Sequence, residues 1–448
     1  MQVTVSLTVD LDASGGINAL EEQIVEQGRA VMQQLVRQAV QQYEAEQGAC
    51  PQCGQRSMRR GGSQRRVLLT RFGRVALRVQ RRRCRGCGTR FRPADGCLRE
   101  LGGRNVTAVL AQACVLAGIS WAYGEAAQVV RDLCGAQVSA ETVRALTTAA
   151  GQQEVARQRA QAHDQVTPTA AQVRAERGER RPAAVTPAAS GSACVPAAAL
   201  LVGLDGGWVP SRDQSGGMEG KVGVVAGGRE AVGQHGRHRL RPRRYVATFG
   251  RSEQVGELAY AAATALGAAP APVPVQVALG DGAAWIKTQV AWHFPDAVRI
   301  LDWPHLTRAV HQAIRAARPG AAHRALRRTL HQQVPDALWQ GDVDGAVALL
   351  AALRPAAPAD PIERLEETIG YLDGQRAWIG TYQAWQEAGY PIGSGLVERA
   401  VELVINRRLK RRGMRWWRTN AQGVTALRIR RLNGDWEQRT RSDLPLVA

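Results

Sequence analysis

Lysine is nearly absent: Lys221, Lys287 and Lys410 are three among 59 basic residues. Arginine suits bidentate phosphate contacts, yet a GC-rich coding sequence would favour the same skew, so the skew alone decides nothing. Codon usage does not account for 59 basic against 39 acidic residues, a net charge of +20. That balance makes a polyanion such as nucleic acid the first partner to consider. Long apolar runs are missing as well. No stretch approaches the ~18 residues of a membrane span, and Met1 to Asp12 alternates apolar and polar residues where a leader would be basic and then apolar. A cytoplasmic, nucleoid-associated protein without membrane contact is expected. Cysteine is sparse: eight in 448 residues are too dilute for a disulfide scaffold and fit a reducing compartment. The eight histidines include no His-Glu-x-x-His pair, which argues against a zinc hydrolase. Gly216 to Val222 is one residue short of a phosphate-binding loop and has Val222 where Ser or Thr is needed, so no ATPase is implied.

An apolar share of 45% is ordinary for a globular chain, and this length allows two to four domains. Residues 1–48 read as an N-terminal strand and an amphipathic helix, with Leu20, Ile24, Val31, Leu35 and Tyr43 near helical spacing from Asn18 to Gln47. Self-association or packing on its own chain are both open to that helix. Residues 49–100 carry Cys50-Pro-Gln-Cys53 and Cys84-Arg-Gly-Cys87, each followed by glycine. Such pairs wrap tight turns around a tetrahedral ion, and the intervening segments Val67–Thr70 and Val75–Gln80 read as strands, so a zinc ribbon with a structural Zn²⁺ is predicted. Arg82 and Arg83 belong to a cluster of arginines here that suits a DNA backbone. Cys97, Cys114, Cys134 and Cys194 lack paired spacing and read as buried small hydrophobes.

Residues 101–159 divide into helices at Val106–Ala117, Trp121–Leu133 and Ala140–Ala149, with Ser120 and Ser139 at cap positions and Gly118 and Gly135 at stops. This is either a helix-turn-helix-like module, with Glu141, Arg144 and Thr148 facing a groove, or a helical bundle linking two domains. Residues 160–198, rich in Ala, Pro, Arg and Ser, read as a linker.

From residue 199 the order of elements can be followed: strands at Ala199–Leu204, Lys221–Ala226 and Tyr245–Phe249, a helix at Glu253–Leu266, a strand at Pro274–Leu279, a helix at Ala283–Trp292 and a strand at Ala297–Leu301. A mostly helical stretch comes next, and then a helix starting near Gly393. That β-β-β-α-β-α-β-(helical insert)-α order is the ribonuclease H-like arrangement of an α/β domain, here 199–302 with 391–436, the helical insertion being 303–390 and the tail 437–448. It puts Asp205 and Asp281 at strand ends and Glu398 in the first turn of a helix. Three carboxylates so arranged can hold two Mg²⁺ or Mn²⁺ ions and serve in-line displacement at phosphorus. Asp302 and His305 form an Asp-x-x-His element that is either a helix cap with a hydrogen-bonded histidine or a direct DNA or metal site.

Four segments, Val202-Gly-Leu-Asp205-Gly-Gly-Trp-Val-Pro210, Gly280-Asp281-Gly-Ala-Ala-Trp-Ile286, Ile300-Leu-Asp302-Trp-Pro-His305 and Pro391-Ile-Gly-Ser-Gly-Leu-Val-Glu398, resemble the DDE transposases of bacterial insertion sequences, the Kra-type group and its Mutator-like relatives. The resemblance implies a metal-binding triad of Asp205, Asp281 and Glu398, with Glu402 one turn on as a rival for the third place, and Asp302 and His305 as accessory catalytic residues. It implies a transposase that binds the terminal inverted repeats of its element, cuts there and joins the freed 3′ ends to target DNA, working as a homo-oligomer.

Arg407, Arg408, Lys410, Arg411, Arg412 and Arg415 form a cationic run before Trp416 and Trp417. The cations suit DNA phosphates, and the tryptophans either stack on an unpaired base or pack on the insertion. Two other functions fit the residues: a ribonuclease H-like nuclease or resolvase, which would hydrolyse without joining, and a zinc-ribbon DNA-binding regulator without catalysis.

Overall fold

Apolar residues at helical spacing form α1 (Gly16–Glu46), but its buried seam is displaced from the expected one. Val36 and Val40 pack on Leu68, Val75, Leu77 and Val79, whereas Ile17, Ile24, Val25 and Met32 are exposed. The computed structural model describes residues 8–166, 200–227, 229–232, 237–240, 243–268, 277–317, 324–354 and 363–436. They fall into two units, Met1–Gln153 with Glu437–Ala448, and Glu154–Trp436. The expected N-terminal strand lies partly outside the described residues, and residues 8–12 are not strand. Most of the 160–198 segment, Cys194 included, and the 437–448 tail also lie outside them.

In the first unit β1 (Met58–Thr70) and β2 (Gly73–Cys84) form an antiparallel hairpin, with β3 (Arg90–Phe91) on the β2 edge. The strands are longer than apolar alternation predicts, because the arginine-rich stretches beyond the core remain paired as a ribbon. The hairpin face buried on α1 alternates Val75, Leu77 and Val79 with exposed Arg74, Ala76 and Arg78. The turn is closed by Thr70 Oγ1, which donates to the Gly73 carbonyl at 2.9 Å, and by Gln33, which donates from α1 to the Phe72 carbonyl at 2.7 Å.

Three helices follow: α2 (Ala108–Gly118), α3 (Tyr123–Cys134) and α4 (Ala140–Val166). Gly135 stops α3 in a left-handed conformation, φ 65°, and Ser139 Oγ accepts from the Thr142 amide at 3.0 Å at the start of α4. Ala122, not Ser120, precedes α3, its amide bonded to Glu125. α4 continues well past Ala149, through Gly151, with no proline before Pro168, so residues 160–166 are helix and not linker. Cys114 is buried as expected, Cys134 is half-buried and Cys97 is exposed.

The second unit is built on a five-stranded sheet ordered β10-β9-β4-β5-β8. The strands are β4 (Leu200–Val209), β5 (Met218–Gly227), β8 (Arg243–Thr248), β9 (Val277–Gly280) and β10 (Val298–Leu301). A separate two-stranded pair, β6 (Arg229–Val232) and β7 (Arg237–Leu240), lies between β5 and β8 in the chain. β4, β5 and β8 are antiparallel neighbours, while β9 and β10 run parallel to β4. The parallel strands are reached through α5 (Ser252–Ala263) and α6 (Ala284–His293), since a parallel pair needs a crossover. Residues 269–276, where the expected β9 began, lie outside the described residues.

α7 (Trp303–Ala316) follows β10, then α8 (Arg324–Trp339), α9 (Val343–Ala351) and α10 (Glu363–Gly374), and the short helix Tyr382–Glu387. Their inner faces join the sheet in one core that includes Leu204, Leu279, Ile286, Ile300, Leu306, Leu338 and Leu372. Trp303, Trp339 and Trp385 surround Tyr382, with ring centroids 4.7, 6.0 and 5.0 Å from it. α11 (Gly395–Val401) passes through a π-turn, Glu402–Asn406, into Arg407–Leu409, and α12 (Arg418–Leu432) closes the unit. The π-turn carbonyls of Leu403 and Val404 accept from Arg428. Among the described residues no helix is long and apolar enough to cross a membrane.

Candidate active site

Asp205 does not end its strand. β4 continues to Val209, and Asp205 sits opposite Val222 of β5 within the ladder. The glycines two residues to either side of it let another element approach closely: a Cβ on Gly203 would lie 3.2 Å from Val397, and one on Gly207 would lie 2.9 Å from Val401. Both glycines therefore let α11 rest on the sheet, and by strand alternation Asp205 shares their face. That is the face on which α11 brings Glu398.

The carboxylates meet electrostatically. Burial pushes the Asp205 carboxyl up to about 6; its own Gly206 amide, 2.7 Å from Oδ1, opposes that rise, while the charges of Asp281 and Glu398 add to it. His305 acts on Asp205 in the opposite sense. Four residues from β4, the loop after β9, α7 and α11 thus share one field. Ligand atoms of Asp302, His305 and Glu398 all lie within 4.8 Å of one another.

Asp302 is fully buried and its carboxylate is committed. Oδ1 accepts from the Ser394 amide at 2.5 Å and Oδ2 accepts from the His305 amide at 3.0 Å and from His305 Nδ1. It caps α7 and binds the N-terminus of α11 at once. Burial would raise its pKa, but these bonds hold it below the ordinary carboxylate value. The bond from Asp302 correspondingly raises His305. Ser394 Oγ donates to Glu398 Oε1 at 3.1 Å. Glu402, in the π-turn, is ion-paired at 3.5 Å with Arg407.

Asp281 follows β9, and its Oδ1 accepts from the Ala283 amide at 2.9 Å. The Tyr371 hydroxyl donates to the Asp281 carbonyl at 3.0 Å, and Gln375 Nε2 to the Gly282 carbonyl at 2.8 Å. Tyr382 donates to the Leu301 carbonyl at 2.8 Å. Sequence reasoning missed Ser394, Tyr371, Gln375 and Tyr382. The Gly-Ser-Gly start of α11 offered a faint cap signal for the first, and nothing local marks the others.

The four paired cysteines do converge. Cys50 and Cys87 sulfurs are 3.6 Å apart, as are those of Cys53 and Cys84. Four thiolates about 2.3 Å from a central zinc would stand about 3.8 Å from one another, so the donor set and spacing fit a zinc ion. Hydrogen bonds from Thr89 draw the Cys87 thiol down to about 6, toward the thiolate a metal needs.

The expected DNA-facing residues divide. Arg83, Arg407, Lys410, Arg412 and Arg415 are exposed. Arg144 is exposed and paired with Glu141 at 2.5 Å, and Arg411 is half-buried, donating to the Arg407 carbonyl at 3.4 Å. The expectation is corrected for Arg408 and Trp416, which are buried, while Arg82 is half-buried and bonded within its own unit. Arg82 donates to the Gln47 and Glu44 carbonyls at 2.8 and 3.1 Å, capping α1. Arg408 is 1% exposed and lies over the Trp416 ring at 4.8 Å. Trp416 is itself buried, with its indole N–H bonded to the Leu409 carbonyl at 3.0 Å. A short-range run of cations cannot reveal which members a helix turns inward. Thr148 is half-buried.

A search of curated proteins found no match. Residues 3–164 match the model described as Transposase, Mutator family; the match supports a transposase, a DNA-binding and DNA-cleaving enzyme. Residues 196–442, more than half of the chain and including every carboxylate of the candidate site, match the model described as Uncharacterised protein family (UPF0236), and the chain belongs to that family.

Proposed function

We propose that the second unit is a ribonuclease H-like catalytic domain and that Asp205, Asp281 and Glu398 are the DDE triad of a transposase of the kind found in Kra-type insertion sequences. The observation that carries the reading is the seating of α11 on Gly203 and Gly207, on the face of β4 that carries Asp205; the Asp205 carboxyl, raised chiefly by burial, is raised further by the charges of Asp281 and Glu398, carboxylates from elements far apart in sequence. The sheet order, with three antiparallel strands followed by two parallel ones, supports the fold assignment. Glu398 is preferred over Glu402, which is ion-paired with Arg407.

All-oxygen donors of this kind suit Mg²⁺ or Mn²⁺, and a pair of such ions supplies charge neutralisation at the attacking and leaving oxygens of phosphoryl transfer. Asp205 and Asp281 are held by their own loop or strand amides, so their carboxylates are oriented before substrate arrives. Asp302 fixes the His305 ring through Nδ1 and raises its proton affinity. Nε2 remains as a second donor toward a DNA phosphate. Asp302 thus acts as a positioning residue. Positioning and charge stabilisation, without a protein nucleophile, are what this chemistry requires.

The zinc-ribbon hairpin and α2–α4, with Arg83 and Arg144 exposed, would bind the terminal inverted repeats, and Arg407, Lys410, Arg412 and Arg415 the backbone near the cut. A homo-oligomer would hold two ends together in the cytoplasm. A nuclease or resolvase would use the same carboxylates without strand joining. The test is Asp281→Asn: loss of Mg²⁺-dependent cleavage and joining of DNA carrying the element ends, with end binding retained, is expected. Undiminished cleavage by this variant would refute the triad, and hydrolysed product without joined strands would favour the nuclease.

A further inference from the structure

The loop that carries Asp281 is three residues long, between Gly280 at the end of β9 and Ala284 at the start of α6. Two of its carbonyls are gripped from the same direction. Tyr371, in the last turn of α10, donates to the Asp281 carbonyl at 3.0 Å, and Gln375, just after α10, to the Gly282 carbonyl at 2.8 Å. The grip is returned by α6, whose Lys287 donates to the Gly374 carbonyl at 3.1 Å. Gln375 is 5% exposed. Gly282 has φ +86°, and a Cβ there would lie 2.5 Å from Gln375 Nε2, so the loop and the amide fit with no room to spare.

These bonds hold backbone, not side chain, and they come from helices that the chain reaches about ninety residues later. A short strand-to-helix loop with its carbonyls free would shift by more than the small tolerance a cation site allows. Groups outside the ligand shell tune metal affinity by roughly 10–100-fold through the ligands they hold. On the reading of Asp281 as a metal ligand, on which this inference rests, we propose that Tyr371 and Gln375 are positioning residues that set the place of Asp281 through its loop carbonyls, making the affinity of the divalent-cation site depend on the seating of α10. A merely structural tie would hold the helices to the sheet without touching cation affinity.

Asn433 supplies the comparison, because its side chain makes a like bond to a backbone carbonyl, that of Tyr245 at 3.1 Å, on β8, which β4 and β5 separate from β9. The experiment is Mn²⁺ binding to the full-length, zinc-loaded chain, followed by electron paramagnetic resonance and calorimetry, with thermal midpoints recorded for each variant. Asp281→Asn should abolish the site. Tyr371→Phe, which removes one hydroxyl, should weaken Mn²⁺ about tenfold, and Gln375→Met, which removes the donor to the Gly282 carbonyl and leaves the loop sequence unchanged, should weaken it comparably. Asn433→Ala should lower the midpoint without changing Mn²⁺ affinity. Wild-type affinity in Tyr371→Phe and Gln375→Met, beside a loss in Asp281→Asn, overturns the positioning role and leaves the triad standing. Equal weakening by Asn433→Ala also overturns it, since general loosening would then be the cause. Mn²⁺ binding indifferent to Asp281→Asn would instead remove the triad reading itself.

Discussion

Asp302 and Ser394 are 92 residues apart in the chain, and the amide of Ser394 donates to the Asp302 carboxylate at 2.5 Å. One buried side chain therefore ties the start of α7 to the start of α11, and α11 carries Glu398. A carboxylate that accepts from two amides and an imidazole is a strong anchor, and removing it leaves buried donors without partners. Asp302→Ala should lower stability by about 2 kcal/mol, read by urea unfolding. An effect within experimental error would show that the cap is dispensable.

Glu154 and Arg430 form a second buried tie, 2.8 Å apart with side chains 3% and 6% exposed. Burial would raise Glu154, yet Arg157 and Arg430 together hold it low. Truncating one partner of such a pair typically costs about 3–5 kcal/mol. Glu154→Ala should fall in that range, and Glu154→Gln, which keeps hydrogen-bonding capacity, should cost less. Equal stability of Glu154→Ala and wild type would contradict the pairing.

His311 of α7 and His331 of α8 face each other, with Nδ1 atoms 2.8 Å apart. Burial and the cation of Arg315 lower His311; burial, His311, Arg315 and Arg327 lower His331. A histidine with a depressed folded pKa contributes stability that is present above its ordinary value of 6.5 and is lost as pH falls through the lower folded value. The thermal midpoint should therefore drop between pH 7 and pH 5, and His331→Gln should flatten that drop. A drop of the same size in the variant would assign it to other groups.

The cysteine cluster should hold one zinc per chain. Cys84→Ser, or a strong chelator, should release the ion, measured by atomic absorption, and unfold the β1–β2 hairpin base, since structural zinc contributes folding energy outright. Full zinc content in Cys84→Ser would mean the ion sits elsewhere.

How much of this was readable beforehand differs from element to element. The two Cys-x-x-Cys pairs, the glycine stop at Gly135 and the cap at Ser139 are local signals, set by turn geometry and by donors within a few residues. The carboxylates could be nominated because Asp-Gly follows two apolar runs. That Asp205 lies inside β4 and not at its end could not, because strand length depends on the partner strand β5. Arg408 reads as DNA-facing and Trp416 as either base-stacking or packed, and the two are buried together, since a run of cations carries no information about which members turn inward or that Trp416 meets Pro210 and Leu409.

Composition and motif spacing alone determined the strong positive charge, the zinc-ligand set, the alternation of strands and helices and the identity of the acidic residues, because each depends on near neighbours or on sums over the chain. Only the tertiary structure decided which carboxylates share a field, that Asp302 is occupied by Ser394 and His305, and that α10 grips the Asp281 loop. Those relationships join residues tens to nearly two hundred positions apart, and packing of α11 against the glycines of β4 brings the charge of Glu398 to bear on Asp205, a relationship no local pattern encodes.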